Sequence, residues 1–278
     1  MNDNSADMTT DAVSEAKNKL VNAPLVLALA QVRFAAVLSV AQAIPAIQEK
    51  LKHAGFPRYE KSEAQSIFFG SETGPRVETV ERWEFLSRDK RTAVALTSQS
   101  VALHTNDYDT FQKFSESLRQ IFDIVSAQVD IQIVDRLGIR YVDLVRLEAG
   151  ESFANYLKPG LVGFPFSEVL ASELGKVFSS THSIAELPNS VLSVRCLQSN
   201  TGAFLPPDLI PSTLLYNLTL KPGELVAILD FDHYMTVDID FMPERLVRSL
   251  DELHSLANKA FRAALNPFAY RKWGGNVG

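Results

Sequence analysis

The chain has 278 residues, 46% hydrophobic and 22% charged, a balance that supports a packed core rather than disorder. Its 27 Lys and Arg stand against 33 Asp and Glu, and a net charge of -6 argues against a surface given over wholly to nucleic acid or anionic lipid. A single cysteine, Cys196, excludes an intrachain disulfide and a thiolate metal site, and its apolar neighbours suggest a buried, inert thiol.

Residues 1–22 read as a flexible polar tail that lacks the basic start and apolar stretch of a secretory signal. The most apolar early segment, 23–40, is interrupted by Pro24, Gln31 and Arg33 and is unsuited to spanning a bilayer, so a soluble cytoplasmic protein is expected. The first strand is expected over Leu25–Val37. Val40, Ile44, Ile47 and Leu51 then recur at the spacing of one helical face, with Gly55 and Pro57 as stops. Pro45 conflicts with that helix unless it lies near the first turn or at a kink.

Strands are expected at Gln65–Phe69 and Glu81–Leu86, and as a pair within Thr92–His104 that turns near Ser98-Gln99. Phe111, Phe114, Leu118, Ile121 and Val125 form a helical stripe, with Asp109 and Gln112 at capping-box spacing. A strand follows over Leu137–Leu147, and glycines and prolines break up residues 151–174. Further strands are expected at Val177–Ile184, Val191–Gln198, Leu214–Leu220 and Leu225–Phe231, the last two joined as a hairpin by Pro222-Gly223. A final helix starts at Pro243, buries Leu246, Leu250, Leu253, Ala257 and Phe261, and ends at Asn266-Pro267.

Two segments resemble each other. Gln31-Val32-Arg33-Phe34 and Gly138-Ile139-Arg140-Tyr141 each set an arginine in an apolar strand, and each opens a series of strand, helix, strands and long helix. The expected fold is α+β: an antiparallel sheet with long helices on one face, built as two pseudo-repeated β-α-β-β-β-α halves over 23–130 and 131–265, with a C-terminal tail over 266–278. Duplication and convergent patterning explain the order about equally well.

No catalytic or cofactor motif stands out. The five histidines show neither metal spacing nor a triad pattern, and no phosphate-binding glycine loop is present. Asp230 and Asp232 share one face of a strand and could converge on a cation with His233 or Asp240 in support, although carboxylates at a strand end more often simply meet solvent. Arg33 and Arg140, set among apolar neighbours, call for a carboxylate partner, with Glu81, Glu84, Asp143 and Asp232 as candidates, or else for a path to the sheet surface. They could instead form a clamp for an anionic ligand. Basic residues of the last helix and tail alternate with Phe268, Tyr270 and Trp273, which leaves a weak option for nucleic acid.

Ala23-Pro24-Leu25-Val26, Gln31-Val32-Arg33-Phe34, Arg140-Tyr141-Val142-Asp143, Pro222-Gly223 leading to Leu229-Asp230-Phe231-Asp232, and the closing helix with His254 and Phe261 together resemble a sporadically distributed, uncharacterised bacterial family over residues 23–265. The resemblance implies no activity, cofactor or catalytic residue. It implies only the patchy occurrence typical of mobile or defence-associated loci. Two functions fit: a non-enzymatic regulator that recognises a protein or peptide partner and could form a homo-oligomer, and a helix-grip-like protein that binds or transforms a small ligand. The second predicts a cavity between sheet and helix, edged by Arg33, Arg140 or Trp83.

Overall fold

The computed structural model describes residues 20–70, 74–166, 169, 175–210 and 212–275, with backbone alone over 64–70 and 74–80. The alternating runs form strands β1 (Leu25–Phe34), β2 (Arg58–Gly70), β3 (Gly74–Leu86), β4 (Thr92–Thr97), β5 (Ser100–Thr105), β6 (Val134–Arg146), β7 (Phe178–Glu186), β8 (Val191–Ser199) and β9 (Val226–Ile239). The helices are α1 (Val40–His53), α2 (Phe111–Ser126), α3 (Phe153–Tyr156), α4 (Pro243–Ala264) and α5 (Pro267–Lys272). All nine strands join one antiparallel sheet in the order β2-β3-β4-β5-β1-β6-β9-β8-β7. The fold is α+β, as the patterning predicts. The strands of the two halves meet where β1 pairs with β6 at the centre of the sheet.

The helical stripes explain which face is covered. Val40, Ile44, Ile47 and Leu51 of α1, Phe111, Leu118, Ile121 and Val125 of α2, and Leu246, Leu250, Leu253 and Ala257 of α4 are buried in one cluster with Ala28, Ala30, Val32 and Phe34 of β1. Each fully buried Leu or Ile contributes about 1.5–3 kcal/mol by leaving water. The α1 helix runs through Pro45, so the Ala41 carbonyl loses its usual helical donor. It stops in a Schellman turn. Phe56 N–H donates to Leu51 O at 2.9 Å, Gly55 N–H donates to Lys52 O at 3.3 Å, and Gly55 takes φ +99°. At α2 the cap is Thr110, whose hydroxyl accepts from Lys113 N–H, while Asp109 pairs with the Lys113 ammonium instead of forming the expected capping box.

The expected hairpin at Pro222-Gly223 is not formed. The turn exists, with Glu224 N–H donating to Lys221 O at 3.0 Å, but Leu214–Leu220 is no strand. That segment instead crosses the sheet face opposite the helices. Leu214 is buried, and Tyr216, Leu218 and Leu220 alternate with exposed neighbours as they pack over Leu27, Val142, Leu144, Leu197 and Ile228. Alternation reports one apolar side and leaves strand pairing undecided. Strand β9 runs on to Ile239, so Asp230-Phe231-Asp232-His233 lies in mid-strand rather than at the expected solvent-facing end. The C-terminal segment is a docked helix: Tyr156 meets Phe268 at 5.1 Å and Trp273 at 5.5 Å between ring centroids, and Lys272 bridges Glu148 and Glu151.

Two substitutions should separate core packing from turn geometry in urea titrations. Leu118→Ala should lower the unfolding free energy by about 2–5 kcal/mol, because it opens a cavity under α2. Gly55→Ala should cost only about 1 kcal/mol, the penalty for a Cβ in left-handed backbone.

Candidate functional site

Strand alternation gives the centre of the sheet two chemically different faces. On the face away from the helices, Arg140 of β6, Asp230 of β9 and Arg195 of β8 lie side by side, with Arg195 opposite Asp230 and Val142 on its other flank. Asp230 is fully buried. It accepts from Arg140 Nε at 2.7 Å and Nη2 at 2.9 Å, and from Arg195 Nε at 2.8 Å. Asp208, on the 3-10 turn Pro207–Leu209, closes over the pair and accepts from Arg140 Nη1 at 2.6 Å and Arg195 Nη2 at 3.3 Å. Burial opposes ionisation of Asp208, but Arg140 and then Arg195 hold its pKa below the usual carboxylate range. Burial likewise disfavours charge on Arg140, and the two carboxylates overcome it and raise its pKa. This cluster is an internal ion network that ties β6, β8 and β9 to the 3-10 turn Pro207–Leu209.

The candidate functional site lies on the other face. A cavity of about 250 Å³ opens between the sheet and α4. Its floor is Tyr141 and Asp143 of β6, Phe231 of β9 and Leu25 of β1. Leu25 reaches this face because a register shift between Leu25 and Leu27 interrupts the alternation of β1. The roof is one stripe of α4, with His254, Ala257, Asn258 and Phe261 at helical spacing and Arg262 beside them. Tyr108, Asp109 and Thr110 of the β5–α2 loop and Leu20, Val21 and Ala23 complete the wall.

Polar groups converge on this apolar space. The Tyr141 hydroxyl and His254 Nδ1 share a hydrogen bond of 2.8 Å, and the His254 ring stacks on Phe111 at 4.2 Å between centroids. Asp143 is 3% exposed, and its carboxyl makes no hydrogen bond or ion pair among the described residues. Burial first, and then the charge of Asp230, push its pKa up to about 8. Such a group is a candidate for ligand recognition because the fold itself does not satisfy it.

The residues singled out from sequence do not assemble into one site. Arg140 and Asp230 meet in the ion network, and Arg140 takes Asp230 and Asp208 rather than Glu81, Glu84, Asp143 or Asp232. Asp232 lies on the same face, and burial raises its pKa against the pull of Arg140. Arg33 stands opposite Ser100 and Arg136, away from Arg140, with no ion pair among the described residues. Trp83 is buried in the helix-covered core. His233 points to the helix side. Its Nδ1–H donates to the Leu253 carbonyl at 2.9 Å, which leaves Nε2 to accept from the Ser190 hydroxyl at 2.9 Å. None of Arg33, Arg140 and Trp83 edges the cavity. Tyr141, Asp143 and His254 do, and period 2 counted from Ile139 already places Asp143 on the core side of β6.

No group of three or more His, Cys, Asp or Glu among the described residues is arranged to hold a metal ion. Cys196 is buried, and burial pushes its thiol up to about 12, far from a nucleophile. Among the described residues no helix is long and apolar enough to cross a membrane. No protein-family model matches the chain, and no curated protein matches it.

Two measurements test these assignments. Asp230→Ala should cost about 3–5 kcal/mol in denaturant titrations because it strands Arg140 and Arg195, whereas Asp208→Ala, at a half-exposed position, should cost about 1 kcal/mol or less. For Asp143, the folded protein keeps a proton that the unfolded chain releases near pH 4, so its stabilising effect is complete below that pH and is lost as pH rises through about 8. Asp143→Asn should therefore flatten the decline in stability between pH 5 and 8, removing a slope of up to about 1.4 kcal/mol per pH unit.

Proposed function

We propose that the protein binds a small organic ligand in the cavity between β6, β9 and α4, in the manner of helix-grip proteins. The observation that carries this reading is the convergence of Tyr141, Asp143 and His254 on an apolar space walled by Phe231 and Phe261. Concave, mainly apolar sites with a few placed polar groups are the usual form of small-molecule sites. The volume suits a compact ligand of one ring or a short chain. Membership of the sporadically distributed bacterial family belongs to the same proposal and rests on the segments that carry the resemblance.

Partner recognition is a second reading, favoured by β7. This strand ends the sheet, pairs only with β8 among the described strands, and exposes Phe178 and Ile184 by 64% and 61%. Such an edge suits addition of a strand from a partner or a second copy.

The cavity reading is tested by filling the space. Ala257 is buried in the roof, and Ala257→Phe should abolish binding of 2-phenylethanol in saturation-transfer NMR while the far-ultraviolet circular dichroism stays native. Equal binding by wild type and variant would place the probe elsewhere and end this reading.

A further inference from the structure

Within the proposed cavity, we infer that the Asp143 carboxylate receives the protonated amine of the ligand. This inference rests on the ligand-binding reading and deepens it. Asp143 is enclosed between β6 and α4, and no described side chain offers it a hydrogen bond or a counter-charge. An isolated buried carboxylate is costly, and an entering cation removes that cost by pairing with it. Of the other charged groups lining the cavity, Asp109 pairs with Lys113 and Arg262 donates to Asn258. The remaining walls suit an ammonium, because Tyr108, Tyr141, Phe231 and Phe261 surround the space with rings that can attract a cation.

The titratable and charged groups facing Asp143 come from three elements. Tyr141 lies on β6, Tyr108 and Asp109 on the β5–α2 loop, and His254 and Arg262 on α4, while Asp230 acts from the opposite face of the sheet. Burial keeps Asp143 protonated at neutral pH in the unliganded protein. Pairing with an ammonium therefore expels that proton to solvent, and the bound pair is carboxylate with ammonium.

The experiment compares three probes of one shape on the full chain by calorimetry: 2-phenylethylamine, 2-phenylethanol and 3-phenylpropionate. The amine should bind at least tenfold more tightly than the alcohol at pH 8, release about one proton near pH 7, and gain affinity between pH 6 and 8 while the alcohol does not. Asp143→Asn should bring the amine to the affinity of the alcohol and remove its pH dependence. Should that variant fail to fold, proton release by the wild type, read in buffers of different ionisation enthalpy, still decides the matter. Equal binding of amine and alcohol, or tightest binding of the carboxylate, would overturn the inference and leave the cavity reading standing. If none of the three binds, the cavity reading fails and the inference fails with it.

Discussion

Asp230 is the carboxylate on which the centre of this molecule depends. It is buried at the middle of β9 and joins Arg140 of β6 to Arg195 of β8, so one side chain ties three neighbouring strands. Ionised groups without partners are expensive inside a protein, which makes the pairing demanding of geometry. A one-residue slip of β6 would carry Arg140 into the helix-packed core and bring Tyr141 and Asp143 to the opposite face. The ion network is therefore more a constraint on register than a site for chemistry.

That constraint reaches the cavity through the pleat. Because Arg140 must face Asp230, Tyr141 and Asp143 must face α4, and Phe231 must join them from β9. The helix supplies the other half of the space. Its lower stripe of Leu246, Leu250 and Leu253 packs tightly on the sheet, while the next turns bring His254, Ala257 and Phe261 over Tyr141 and Phe231. The shift in β1 adds Leu25, and Asp143 is left as a buried acid for which the described fold provides no partner. Packing closes one end of the α4–sheet interface and leaves the other end hollow.

Much of the architecture was legible in the chain. Stripes such as Phe111, Phe114, Leu118, Ile121 and Val125 mark helices because one face must be apolar, and Ser98-Gln99 separates β4 from β5 as the pattern suggests. The segment over 212–220 departs from the expected strand for a physical reason: an extended segment lying flat on a sheet has the same alternation as a strand paired within it. The site was less legible. Arg140 and Asp230 stood out because charges in apolar runs are conspicuous, yet their contact is made by strands about 90 residues apart and satisfies both. In the sequence Asp143 is no more than a candidate partner for an arginine. Its role is set by the face it occupies and by what α4 does not offer it, and neither can be read from adjacent residues.

Ligand binding in this cavity turns on Asp143 being a buried acid that the fold leaves for a ligand. The most direct measurement is a titration of its side-chain carboxyl carbon by NMR, with and without 2-phenylethylamine. The expected midpoint is near pH 8 in the free protein, moved well down into the ordinary carboxylate range by the amine. A midpoint near 4 that the amine leaves unchanged would contradict it.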